Sequence, residues 1–265
     1  MRLRTLVLLA ALAWCAGAQT PLPDAAEQKA MVSRMRDAAL SYSDQLQDFV
    51  CLRISARSTG SSPGGTKWKP LETQESELDY VDHREHYKLL KVNGETTDLE
   101  KRVKQGYFVQ TREFGTALQR IFTPKVKAEF AWDHAETQPG GNWCVFRYHV
   151  TEADSDWGIT ANGKNIHPGH HGFVWAVCDT GAVMRFRIET DPAEVILRWV
   201  HVPIAEQLEV RYGVTRIGDK EFLLPQGAVD LALFYKTWTK AEIQFQQYRK
   251  YDANSSLKFD EPPKR

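Results

Sequence analysis

A side-chain alternation of period two, recurring along most of the chain, constrains its fold more than any other feature. Val126, Ala128, Phe130 and Trp132 fall on one parity, against Lys125, Lys127, Glu129 and Asp133 on the other. Cys144, Phe146, Tyr148 and Val150 oppose Arg147 and His149, and Met184, Phe186 and Ile188 oppose Arg185, Arg187 and Glu189. Leu208, Val210, Tyr212 and Val214 oppose Gln207, Glu209 and Arg211, and Ile243 and Phe245 oppose Glu242, Gln244 and Gln246. Successive side chains of a strand point to opposite faces, so these segments predict antiparallel strands with one apolar and one charged face. The apolar face must be turned onto something.

Hairpin signals separate the strands: Asn93-Gly94, Pro139-Gly140-Gly141, Asp179-Thr180-Gly181 and Gly218-Asp219. Helical material is scarce. Asp24 can cap a helix running to about Leu40, with Ala30, Met31, Met35 and Ala38 as its apolar stripe. A weaker helix is predicted over Thr111 to Ile121, where Phe114, Leu118 and Ile121 have helical spacing and Pro124 acts as a stop. One or two helices cannot cover both faces of ten or so strands. The expected fold is therefore mainly β with some α, an antiparallel sheet curled around the helices with its outer face wet.

The amino terminus has the grammar of an export signal: Arg2 and Arg4, an apolar run from Leu6 to Ala13, and small residues at Ala16, Gly17 and Ala18. The run is shorter than the roughly 20 residues a membrane anchor needs. Residues 1–18 are read as a signal peptide cleaved after Ala18, and residues 19–265 as one β domain of a periplasmic or secreted protein. Trp14 before Cys15 argues against lipidation, because a small residue normally precedes an acylated cysteine. Loss of Arg2 and Arg4 from 34 basic residues leaves 32 against 34 acidic ones. That balance gives no electrostatic case for nucleic acid or an anionic membrane surface.

Three cysteines then remain in an oxidising compartment: Cys51, Cys144 and Cys178. If the segments around Trp143 to Val150 and Phe173 to Cys178 pair as antiparallel strands, Cys144 and Cys178 come within bonding range. Two free buried thiols are the alternative.

Three segments carry a resemblance. DFVCLRISAR (Asp48 to Arg57), GFVWAVCDTGAVMRFRIET (Gly172 to Thr190) and AEIQFQQYRKYDANSSLKFD (Ala241 to Asp260) resemble secreted proteins of LolA/LolB-like fold, among them exported lipoprotein-sorting-like proteins of soil bacteria. The resemblance implies an open antiparallel half-barrel whose apolar hollow is lidded by helices and shelters acyl chains. The chain departs from that family in length, in the segment between Thr151 and Gly172, and in its cysteine pair.

Sites for chemistry are weak by comparison. His167, His170 and His171, with His149 on a preceding strand, contain ligand chemistry, but adjacent extended histidines diverge and no H-E-x-x-H helix accompanies them. No G-x-S-x-G motif, phosphate loop or dinucleotide fingerprint occurs, and Cys51 sits in an apolar strand. Glu72, Glu75, Glu77 and Asp79 are read as the wet face of a strand. No catalytic residue, metal or cofactor is assigned. An outer-membrane barrel is disfavoured because the second face of several strands is charged, so the chain is not expected to be integral to a membrane.

The aromatic set is the remaining candidate: Phe130, Trp132, Phe146, Tyr148, Phe186, Tyr212, Phe234 and Phe245 are expected to line a hollow for an apolar ligand. The function expected is non-enzymatic binding or carriage of a lipid, a lipoprotein acyl chain or another hydrophobic ligand. Two alternatives are an envelope protein-interaction or structural module with a filled core, and a secreted hydrolase using the histidine loop.

Overall fold

The computed structural model describes residues 22–96, 115–139, 141–161 and 163–252. Residues 1–18, read above as a leader, residues 111–114 of the second predicted helix, and Gly140 of one predicted turn lie outside them.

Helix α1 spans Ala25–Leu40 and starts on a reciprocal cap. Asp24 accepts from the backbone of Ala26 and Glu27, while Glu27 accepts from the Asp24 N–H, so otherwise unpaired first-turn donors are satisfied. Its buried stripe is Met35 and Ala39, flanked by Met31 and Val32, and Ala30 is exposed. Helix α2 spans Gly115–Phe122 and buries Leu118, Ile121 and Phe122.

The strands are β1 (Phe49–Gly60), β2 (Lys69–Val81), β3 (Arg84–Val92), β4 (Glu95–Thr96), β5 (Glu129–Gln138), β6 (Gly141–Val150), β7 (Ile159–Ala161), β8 (Lys164–Ile166), β9 (His170–Val177), β10 (Val183–Thr190), β11 (Ala193–Leu197), β12 (Val200–Ile217), β13 (Lys220–Phe234) and β14 (Thr237–Lys250). All but β7 and β8 form one sheet, in the order β4-β3-β2-β1-β14-β13-β12-β10-β9-β6-β5, with β11 paired to β12 beyond β10. The pairings are antiparallel. The sheet is open, with β4 and β5 at opposite ends of the order, and its concave face holds α1 and α2 over the main core. This is the mainly β, half-barrel plan that the alternation demands. Among the described residues no helix is long and apolar enough to cross a membrane.

Irregularities in the ladder adjust the alternation locally. A register shift between Val183 and Arg185 turns Val183, not Met184, onto the core. Val214 lies on the expected parity yet is exposed, near the far end of β12. A bulge opposite Arg211 and Tyr212 accommodates Pro225, which has no N–H to offer a ladder. Glu72 is one residue out of phase with Glu75, Glu77 and Asp79, so it shares its parity with Gln74, Ser76, Leu78 and Tyr80. It is therefore buried on the inner face and not on the wet one, and Glu77 is buried as well, so of the four only Glu75 and Asp79 are partly exposed.

Candidate functional site

Residues directly opposite one another in neighbouring antiparallel strands share a face, so the register defines rows across the concave wall. One row runs Trp132, Phe146, Val174, Phe186, Val210, Ala228, Ile243, Ser55 and Gln74. The next runs Phe130, Tyr148, Gly172, Ile188, Leu208, Asp230, Ala241, Arg57 and Glu72. Both rows begin aromatic at β5 and β6 and end polar at β1 and β2; between them one row is apolar, with Phe186 among aliphatic residues, and the other carries the buried carboxylate Asp230 on β13. The concave wall is thus mostly apolar, with one buried acid near its centre and a polar end.

At the apolar end, Phe146, Tyr148, Phe186, Tyr212 and Phe245 are all buried in the main core, and Phe130 and Trp132 pack against it partly buried. Trp132 meets Phe146 edge-on at 5.4 Å, Phe130 stacks on Phe122 of α2 at 5.3 Å, and Phe186 lies 6.2 Å from Tyr212. Phe234 stands apart from this group. It is 48% exposed at the end of β13, beside the turn at Tyr235. Seven of the eight aromatics are therefore gathered in or against one core, and Phe234 is outside it.

The hydroxyls of Tyr148 and Tyr212 are buried in this wall and have no hydrogen-bond partner among the described residues. Burial pushes both phenols well above their usual pKa range, so they are neutral groups able to donate. Two other tyrosines are satisfied: Tyr42 donates to the carbonyl of Leu223 at 3.0 Å and Tyr248 to that of Pro225 at 2.6 Å. At the polar end, Arg57 Nη1 bonds Glu72 Oε1 at 2.9 Å and Gln74 Nε2 donates to the same oxygen at 2.7 Å. Arg53 lies over the Tyr87 ring at 5.9 Å.

Cys144 on β6 and Cys178 just after β9 form a disulfide, with Cα atoms 5.1 Å apart. The register explains the contact, because Trp143 faces Val177 and Cys144 faces Ala176. Cys51 is a fully buried thiol on the inner face of β1, and burial raises its pKa far above that of an ordinary thiol. Such a group is a core residue and not a poised nucleophile.

The histidines do not converge. His170 turns inward between Tyr148 and Trp157, with both ring nitrogens buried and unbonded among the described residues, and burial lowers its pKa to about 4. His171 turns outward to Asp191 at 3.0 Å, His149 lies opposite it on β6, and His167 meets Asn165 at 3.2 Å. Among the described residues no group of three potential metal ligands exists.

One buried polar cluster was not anticipated. Trp157, in the loop between β6 and β7, donates Nε1 to Glu206 Oε2 at 2.9 Å, and the Glu206 N–H donates to Thr190 Oγ1 at 2.8 Å. The only sequence signal was the parity of Glu206, which matches Leu208, Val210 and Tyr212.

No protein-family model matches the sequence, and no curated protein matches it. In three dimensions the chain is similar to an outer membrane lipoprotein-sorting protein domain from Vibrio parahaemolyticus, at TM-score 0.37 and 10% identity, covering 86% of this chain and 95% of that one. It is also similar to a LolA superfamily protein from Nitrosomonas europaea, at TM-score 0.33 and 8% identity, covering 84% of this chain and 93% of that one.

Proposed function

We propose that this protein is an exported, non-enzymatic binding protein that shelters a lipid, an acyl chain or another apolar ligand against the concave face of its sheet. The observation that carries the proposal is an open sheet whose aromatic inner wall is covered by two short helices instead of a second sheet. Of α1, only Met35 and Ala39 are fully buried. Moving α1 aside would uncover Met35 and Ala39 together with the partly buried Met31, Val32 and Leu40, and would break the Arg34 hydrogen bonds to the Cys178 carbonyl. Acyl methylenes entering the same space return about 0.8 kcal/mol each against that cost. The unpartnered Tyr148 and Tyr212 hydroxyls supply donors for a ligand's ester or carboxyl oxygen.

A second reading has its own support. The ring contacts from Phe122 and Phe130 through Trp132, Phe146, Phe186 and Tyr212 fill the wall in this conformation, as they would in an interaction module with a solid core. Native mass spectrometry of protein purified from an exporting host, followed by denaturing extraction and lipid analysis, separates the two. A stoichiometric apolar adduct supports the binding protein. A bare mass together with no uptake of a fluorescent fatty acid rejects it in favour of the filled core.

A further inference from the structure

The β11–β12 hairpin ends in an apolar tip that no described residue covers. Ile196, Trp199 and Val200 are exposed, and Trp199 is 96% exposed, so its indole has almost no intramolecular contact. Its two central residues, Arg198 and Trp199, both have positive φ, 46° and 75°. A two-residue hairpin turn of this kind favours Asn-Gly, because a side chain at positive φ crowds the backbone. Bulky residues at both positions gain nothing for the fold.

The hairpin is stiffened by a small cluster of its own, which touches the main core through Ile159. Val195, Val202 and Ile204 form their own buried cluster with Ile159 and Ile166 of the small β7–β8 hairpin. Lys164 Nζ donates to the carbonyl of Ile196 at 2.8 Å, and the Tyr235 N–H bonds the carbonyl of Pro203. Beyond Pro203 the strand runs free of β13. At about 3.3 Å per residue the tip extends roughly 13 Å past that point. The charges near it are Arg198 at the turn and Lys164, bonded to the Ile196 carbonyl, against Glu194, which is bonded to His201 at 2.8 Å.

We propose that this tip is a membrane-docking element, seating Trp199, Ile196 and Val200 in the interfacial layer of an anionic bilayer with Arg198 at the lipid phosphates. Trp is favoured at that depth because its ring is amphipathic, and nearby cations gain from an anionic surface even when the whole molecule is near neutral. A rigid projecting hairpin reaches the interface without unfolding anything. The proposal stands whether or not the concave face takes a lipid.

Flotation of the processed protein with vesicles of phosphatidylcholine and phosphatidylglycerol tests this. The expected result is binding that weakens with salt and with phosphatidylcholine alone, and that falls at least about tenfold in Trp199→Ser. The double variant Arg198→Asn/Trp199→Gly is expected to lose binding equally while melting no lower than the parent, which excludes a loss through misfolding. Absence of flotation, or flotation unchanged in Trp199→Ser, overturns the proposal. So does concentration-dependent dimerisation that Trp199→Ser abolishes, since the tip would then belong to a second copy of the chain.

Discussion

Arg34 of α1 donates both Nε and Nη2 to the carbonyl oxygen of Cys178, at 3.3 and 3.0 Å, and so ties the helix to the turn that follows the disulfide. Gly181 completes this latch. Its φ is +74°, and a Cβ placed there would lie 2.4 Å from the carbonyl carbon of Arg34. Gly181→Ala therefore strains the turn and pushes on the helix backbone at once, and is expected to cost roughly 2–4 kcal/mol in urea unfolding. Amide exchange should accelerate in α1 before it does in β9 or β10. Unchanged α1 protection would show that the helix is held by something other than this turn.

Trp157 and Glu206 make a second prediction, about a bond inside the wall. The indole is fully buried and donates to a carboxylate that is itself only 6% exposed. Trp157→Phe keeps an aromatic ring but removes the donor and leaves a void, and both effects destabilise. An expected loss of about 2–3 kcal/mol follows, read as a lower urea midpoint with an unchanged slope. A variant as stable as the parent would mean that Glu206 is held by its remaining contacts alone.

How far the sequence carried this description depends on the contrast between the two faces of each strand. Where apolar and charged residues alternate cleanly, as in Cys144–Val150 or Leu208–Tyr212, the strand and its inner face were legible, and Asp24 with Glu27 marked the start of α1. β1 and β2 were harder, because their inner face is polar at one end: Arg53, Ser55, Glu72, Gln74 and Ser76 are buried there while Val50 and Leu52 are buried on the opposite parity. Turns were legible when glycine supplied the positive φ, as at Asn93-Gly94, and not when Asp82-His83 or Arg198-Trp199 adopted it. The aromatic set was largely placed by parity, but Phe234 escapes because its strand runs past the edge of the core. Trp157 sits in a loop, where no periodicity announces burial.

The buried imidazole of His170 makes stability depend on pH with a definite sign. Desolvation holds its pKa at about 4 in the fold, against 6.5 for an exposed histidine. Above 6.5 neither state binds the proton. Between 6.5 and about 4 only the unfolded chain does, so stability falls as the pH falls; below about 4 both states are protonated and the loss is complete. The full loss is roughly 3 kcal/mol. His170→Leu is expected to flatten this part of the stability profile, because it removes the buried imidazole. A parent and variant that lose stability in parallel from about pH 7 to about pH 4 would locate the dependence elsewhere.

The cysteines make the last prediction, and it bears on export as well as on the fold. Cys144 and Cys178 are 34 residues apart, and a cross-link closing a loop of that length stabilises by about 4 kcal/mol on chain-entropy grounds. Cys144→Ala/Cys178→Ala is expected to lower the unfolding free energy by that order. Thiol titration checks the pairing directly. The folded protein should show no reactive thiol, because Cys51 is buried and its pKa is raised. Denaturation without reductant should release one thiol, from Cys51, and reduction should bring the total to three if the chain has lost Cys15 with its leader. A chain that keeps Cys15 gives one more thiol at each of the last two steps. Three thiols in the denatured, unreduced protein would mean that Cys144 and Cys178 are not joined, and the turn that anchors α1 would then rest on Arg34 and Gly181 without a covalent tie.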